Sequence, residues 1–309
     1  IVFAMAGALV FGTASSENVT PGFNTLIPES ILTPDSVETS IGTLNFFDGF
    51  PDEETVSKVY DNLDRTRATQ AFLDMVPLAS IEGLRRGMES VGVDASHKIL
   101  LYNDLMDSNS LFLTGNTDTI YALGMLDLQR DGATVVEIPS GAGPGTVNDA
   151  YFRFVIDMGA PGPDRGKGGK YLILPPGYEG AVPEGYFSVE SPTYVNWLPL
   201  RGFLKDGKTD AAVDMWTKGL KIYPLSKKDN PPELEVINGT GIIMNTVHAN
   251  DETFFEEIAE VIQREPLGFL DDELRGNLAS IGIEKGKEFA PDARMRAILK
   301  DGVAIANAT

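Results

Sequence analysis

The hydrophobic period of this chain changes twice along its length, and that change constrains the fold more than any other feature. Over residues 52–75, Val56, Val59, Tyr60 and Leu63 recur at helical spacing. Asp52 can cap this helix, and Glu53 and Glu54 suit the positive end of its dipole. Pro77 is expected to break the pattern, leaving a second, weaker helix at residues 79–91 (ASIEGLRRGMESV). From about residue 112 the signal becomes that of strands. Residues 119–128 (TIYALGMLDL) and 133–138 (ATVVEI) flank Arg130-Asp131-Gly132, a hairpin signal. Further β-branched or aromatic runs follow at 151–157, 170–174, 186–189 and 194–200, separated by Gly/Pro-rich turns as in an antiparallel sandwich.

After Phe203 the helical period returns. Residues 209–221 place Ala212, Val213, Trp216 and Leu220 on one face, with Pro224 ending the segment. Residues 251–264 align Phe254, Phe255, Ile258, Val261 and Ile262 opposite Glu256, Glu257 and Glu260. The fold class predicted is α+β, an antiparallel β-sandwich inserted between helical segments that pack as an α-helical subdomain. Its expected parts are a helical region at 51–112, the sandwich at 113–205 and a second helical region at 206–309.

Residues 1–12 (IVFAMAGALVFG) are an uncharged apolar run, shorter than the roughly 20 residues that span a bilayer. Gly12-Thr13-Ala14 supplies the small side chains of a signal-peptidase site, so residues 1–14 read as a signal-peptide remnant. Residues 15–50, rich in Ser, Thr, Pro and Gly, read as an extended lead-in. A periplasmic or extracellular location is expected, with no integral membrane anchor once the signal is removed. The last segment (ARMRAILKDGVAIANAT) ends within a helical pattern, which reads as truncation before a further module.

The 309 residues contain no cysteine, which excludes thiol catalysis, zinc ribbons and iron–sulfur clusters. A net charge of −20 argues against nucleic acid or an anionic membrane as partner. Part of that charge is local, because eight acids precede the first basic residue, Lys58. His97 and His248 are the only histidines; neither has metal-ligand spacing, and both read as structural. The glycine-rich stretches at 140–146 and 162–170 lack the following helix that a phosphate site uses, and read as inter-strand loops. No G-x-S-x-G elbow is present. No metal-ligand set is identified, and the cofactor is unassigned.

The segment TGNTDTIYALGMLDL (114–128) sets short hydrogen-bonding side chains directly before an apolar strand. It reads either as an Asx-turn that aims the strand or as the floor of a polar pocket. In the pocket reading Asp118 is a base or carboxylate ligand and Tyr121 a donor. Arg153, flanked by aromatics in YFRFVID, is expected to pair with Asp118 or Asp157. Asp118, Tyr121 and Arg153 are the catalytic candidates. Asn116, Thr119, Trp197 and Arg201 are the ligand-binding candidates.

Four motifs occur in order: NTDTIYALGMLDL, GKYLILPPGYEGAVP, SPTYVNWLPLRGF and IGIEKGKEF. Together they resemble the bacterial exported-protein family known as domain of unknown function 1254, over roughly residues 40–305. The resemblance implies an immunoglobulin-like sandwich with a helical region, commonly followed by a β-rich module, domain of unknown function 1214, that is absent from this sequence. The loop SGAGPGTVNDAY is longer and richer in glycine than the family pattern. Two functions stay open: a ligand-binding or interaction module of the envelope, or a hydrolytic or metal-assisted enzyme with a polar pocket at the helical/β junction. Partners are a small-molecule or protein ligand, and homo-oligomerisation is left open.

Overall fold

The computed structural model describes residues 22, 25–32, 34–112 and 115–309, so the signal-peptide reading of residues 1–14 lies outside the described residues. The chain divides into two compact units at Tyr60/Asp61, within its first α-helix.

In the first unit, β1 (Ser36–Thr39), β2 (Gly42–Phe47) and β3 (Phe50–Pro51) form a three-stranded antiparallel sheet in chain order. Residues 36–51 are therefore three strands joined by tight turns, where an extended lead-in was expected. The missed signal is Asp48-Gly49, with φ of 50° and 82°, the primed-turn geometry that matches the twist of a hairpin. Helix α1 (Glu53–Ser90) then starts as predicted. The Asp52 carboxylate accepts a hydrogen bond from the Thr55 N–H at 2.7 Å.

In the second unit α1 runs on through Pro77 without a break, in contrast to the two helices expected. Pro77 has no N–H for the Leu73 carbonyl. Leu73 lies on the solvent side of the helix, 38% exposed, where water can satisfy that group. Strands β4 (Lys98–Leu101), β5 (Ser110–Leu111) and β6 (Thr119–Asp127) follow, then the four-residue helix α2 (Leu128–Asp131). Next come β7 (Thr134–Ile138), β8 (Pro144–Asp149), β9 (Phe154–Gly159) and β10 (Gly169–Leu174). They are succeeded by β11 (Phe187–Glu190), β12 (Val195–Phe203) and α3 (Asp210–Gly219). The chain continues with β13 (Lys221–Pro224), β14 (Glu235–Asn238) and β15 (Met244–Asn245). It closes with α4 (Thr253–Arg264), α5 (Asp272–Ser280) and α6 (Ala293–Ala306).

Two sheets, ordered β14-β4-β6-β12-β8-β9 and β11-β10-β7-β13, share one core. Leu101, Ile120, Leu198 and Leu200 of the first meet Val136, Tyr171, Ile173 and Ile222 of the second, with Trp216 of α3 beside them. Both sheets are mixed rather than purely antiparallel, because the edge strands β14 and β11 pair in parallel with β4 and β10. Strands β4, β13 and β14 also fall in segments read as helical. The run Lys98-Ile99-Leu100-Leu101 is too short to show a period, and Ile99, Leu100 and Leu101 are all buried, as in a strand covered on both faces.

The Arg130-Asp131-Gly132 turn does not make a hairpin, since β6 and β7 lie in different sheets. Asp127 caps α2 by accepting from the Gln129 and Arg130 N–H groups, and this helical turn carries the chain across the core.

Alternation along β6 and β12 gives the six-stranded sheet a second buried face. There Tyr121, Leu123, Met125 and Trp197 pack against Ile81, Leu84 and Met88 of α1. Earlier turns of α1 (Ala68, Phe72, Met75, Leu78) pack on Phe254, Phe255 and Ile258 of α4 and on Leu299 and Val303 of α6. The helical segments thus pack together, and the α4 stripe is the one the periodicity predicts.

Candidate functional site

The sheet face beneath α1 ends in an aromatic cluster. Phe152 stacks on Trp197 with ring centroids 5.5 Å apart, and Phe112 lies 6.1 Å from Trp197 and 6.2 Å from Tyr121. Phe112 and Phe152 also line a cavity of about 270 Å³ whose opposite wall is α1 (Val76, Pro77, Ser80, Leu84) and the segment Thr246-Val247-His248. That segment lies directly on the helix because α1 carries glycine where they touch. A Cβ at Gly83 would sit 2.6 Å from the Thr246 carbonyl oxygen, and one at Gly87 2.4 Å from that of Asn245.

Phe152 reaches the cavity through a strained turn. Its φ is +64°, a conformation rare for a bulky side chain. Asp149, fully buried, holds the turn: its carboxylate accepts from the Tyr151 and Arg153 N–H groups, both at 2.8 Å, and from Arg153 Nε at 2.6 Å. The carboxylate partner of Arg153 is therefore Asp149, not Asp118 or Asp157. Arg153 precedes β9, with its side chain 45% exposed and its guanidinium 5.5 Å from the Tyr151 ring centroid.

The other sequence candidates take separate places. Asn116 Oδ1 accepts from the Asp118 N–H, the Thr119 N–H and the Thr119 hydroxyl at 3.0–3.1 Å, the Asx-turn reading of this segment. The Asn116 N–H in turn donates to the Tyr121 hydroxyl at 3.1 Å. Asp118 is exposed at the turn, whereas Tyr121 is buried. Arg201 lies opposite Tyr121 in the β6–β12 ladder, with its guanidinium 5.5 Å from the ring centroid. Trp197 backs the cavity through Phe112 and Phe152. Its indole N–H is buried without an acceptor among the described residues. Tyr121 and Trp197 thus share one buried sheet face, while Asp118 and Arg153 do not join them in a common pocket.

Sequence reasoning missed Phe112, Phe152, Ser80, Thr246 and the cavity-lining place of His248. The G-x-x-x-G spacing of Gly83 and Gly87 was the signal that a backbone crosses α1.

A second cavity, of about 320 Å³, lies between the end of α4 and α5 and is lined by Leu267, Phe269, Leu278, Arg275 and Lys285 among others. Several of its polar groups serve the fold, although Arg275 Nε is buried without an acceptor among the described residues. The Lys285 ammonium donates to the Gln263 and Glu265 carbonyls at 2.8 and 2.6 Å, closing the C-terminus of α4, and Arg275 pairs with Asp272. The motif IGIEKGKEF is thus a helix cap.

The most buried carboxylates are structural as well. Burial pushes the Glu82 carboxyl up, but its hydrogen bonds with Arg85 and the charges of Arg264 and Arg85 outweigh this and hold it at about 2. Burial pushes Glu265 up despite hydrogen bonds from the Tyr194 and Val195 N–H groups and the charge of Arg264. Among the described residues no three His, Asp or Glu side chains gather to hold a metal ion, and no helix is long and apolar enough to cross a membrane.

The fold resembles that of the VPA0106 protein from Vibrio parahaemolyticus, known from a crystal structure, with a TM-score of 0.54 and 16% sequence identity. The likeness covers 79% of this chain and 58% of that protein, so this chain spans little more than half of its length. No curated protein matches. Residues 98–224 match the family model described as Protein of unknown function (DUF1254), a narrower span than the four motifs suggested, with IGIEKGKEF outside it. The match runs from β4 to β13 and holds Phe112, Phe152 and Trp197; Ser80, Thr246 and His248 lie outside it. This match supports a DUF1254 domain over residues 98–224 of this chain.

Proposed function

We propose that the chain binds a small apolar molecule in the cavity between α1 and the aromatic end of the six-stranded sheet. The observation that carries this reading is the cavity itself. Its roughly 270 Å³ has Phe112 and Phe152 on one wall, and Phe152 is held there in a strained conformation by a buried carboxylate. Strain of this kind costs about 1–3 kcal/mol and persists where the surrounding structure enforces it. A site with mostly apolar walls and a few polar groups suits a ligand of one or two rings.

The alternative, a hydrolytic or metal-assisted enzyme using Asp118, Tyr121 and Arg153, has no such convergence behind it. Arg153 is engaged by Asp149, the Tyr121 hydroxyl accepts from the Asn116 N–H, and Asp118 is exposed. Export to the periplasm or the cell exterior is part of the same proposal, supported by the apolar run of residues 1–12 and the small residues after it. We also read the two sheets as an immunoglobulin-like sandwich. Parallel strands are added at one edge of each sheet around an antiparallel interior.

The test is ligand-observed NMR with a set of one- and two-ring compounds, on the wild-type protein and on Val76→Phe, which fills the cavity. Binding by the wild type and loss in the variant support the reading. Binding that Val76→Phe leaves unchanged places the ligand elsewhere and overturns it.

A further inference from the structure

Every side-chain hydrogen-bond donor of the polar groups around this cavity already has an acceptor in the protein. The Ser80 hydroxyl donates to the Val76 carbonyl of its own helix at 2.7 Å. The Thr246 hydroxyl donates to the Leu111 carbonyl at 2.6 Å. His248 Nδ1 lies 2.8 Å from the Ala249 carbonyl oxygen. A carbonyl oxygen can only accept, so in this contact Nδ1 carries the proton. In the neutral ring Nε2 is then a bare lone pair. Phe72 and Phe254 fix the imidazole by edge-on packing, at 6.3 and 5.4 Å between centroids. The remaining cavity side chains, Val76, Pro77, Leu84, Phe112, Phe152 and Val247, have no polar atoms. The buried indole N–H of Trp197 is a donor, but Trp197 is not part of the cavity wall.

The site therefore offers a ligand apolar surface and lone pairs, with no side-chain donor left over. From this we infer that the ligand has an aromatic or aliphatic body and a single neutral hydrogen-bond donor, such as a phenol or alcohol, which pairs with His248 Nε2. Carboxylates and other anions are disfavoured, since with His248 neutral the wall has no cationic side chain and no spare side-chain donor to meet them, and burying an unpaired charge is costly. This inference rests on the binding function proposed above and names its ligand class.

The experiment compares three probes built on one methylbenzene ring by titration calorimetry at neutral pH. They are p-cresol (a donor), toluene (neither donor nor acceptor) and 4-methylanisole (an acceptor only). The expected result is p-cresol binding about tenfold more tightly than 4-methylanisole, the scale of one buried hydrogen bond made against one acceptor left facing another. In His248→Phe the preference is expected to fall to within about twofold. If 4-methylanisole or toluene binds the wild type as well as p-cresol does, the donor requirement is overturned while the binding site stands. If none of the three binds, the site itself falls. A preference that survives in His248→Phe overturns the role of Nε2. Should that variant fail to fold, the three probes on the wild type decide the matter alone.

Discussion

Phe152 holds a positive φ because Asp149 leaves the turn no relaxed alternative: three donors converge on its carboxylate, two of them backbone N–H groups. Replacing Asp149 with Ala leaves Arg153 without its partner and the turn without its organiser. Denaturant unfolding is expected to show a loss of about 1–3 kcal/mol, the scale for leaving the Tyr151 and Arg153 N–H groups without their acceptor, since the Arg153 side chain is itself 45% exposed. Asp118→Ala is the contrasting case. Its carboxylate is exposed, so stability should stay within about 0.5 kcal/mol of the wild type and p-cresol affinity should not change. A large loss of affinity in Asp118→Ala would return that residue to the site. At this scale the Asx-turn of Asn116 was legible, because Asn-Thr-Asp before a strand has a local explanation. The partner of Arg153 was misread, because spacing along the strand hides a carboxylate that folds back across a turn.

Helix α1 decides how the elements meet, since successive stretches of one face serve the helical cluster and then the sheet. Its contact with residues 245–248 depends on Gly83 and Gly87. Gly83→Ala gains about 1 kcal/mol in helix propensity but drives a methyl group into the Thr246 carbonyl. Overpacking typically costs about 1–3 kcal/mol, so a net loss of stability is expected, together with a weaker cavity ligand because the wall is displaced. Unchanged melting and unchanged affinity would show that this segment does not rest on the helix as described. The helices were legible from their period, α4 above all. Pro77 was misleading because the lost hydrogen bond and the ring clash of one proline can be absorbed in a long helix packed along its length, with the freed Leu73 carbonyl on the solvent side. The short strands β4, β13 and β14 were hidden because four residues cannot display a period and their pairing is settled by partners distant in sequence.

At the scale of the whole molecule, the Glu82 network ties α1 to the end of α4 through Arg264, and Glu265 ties α4 to the start of β12. Glu82 titrates at about 2 in the folded protein against 4.5 for an unperturbed glutamate. A depressed value stabilises the fold above the unfolded value and is lost as pH falls. The network should thus lose on the order of 3 kcal/mol between about pH 4.5 and pH 2. Glu82→Gln should flatten this part of the pH dependence of urea unfolding; an unchanged slope would contradict the assignment. The α+β class and the helical cluster could be read from periodicity. The cavity could not, because its walls come from residues 76–84, 112, 152 and 246–248, brought together only by the crossing of α1 over the sheet. The most direct measurement for the account is therefore a crystal structure of the protein grown with p-cresol. The account predicts the ring between Phe112 and Phe152, with its hydroxyl on His248 Nε2. An empty cavity at saturating ligand, or p-cresol bound at another surface, would contradict it.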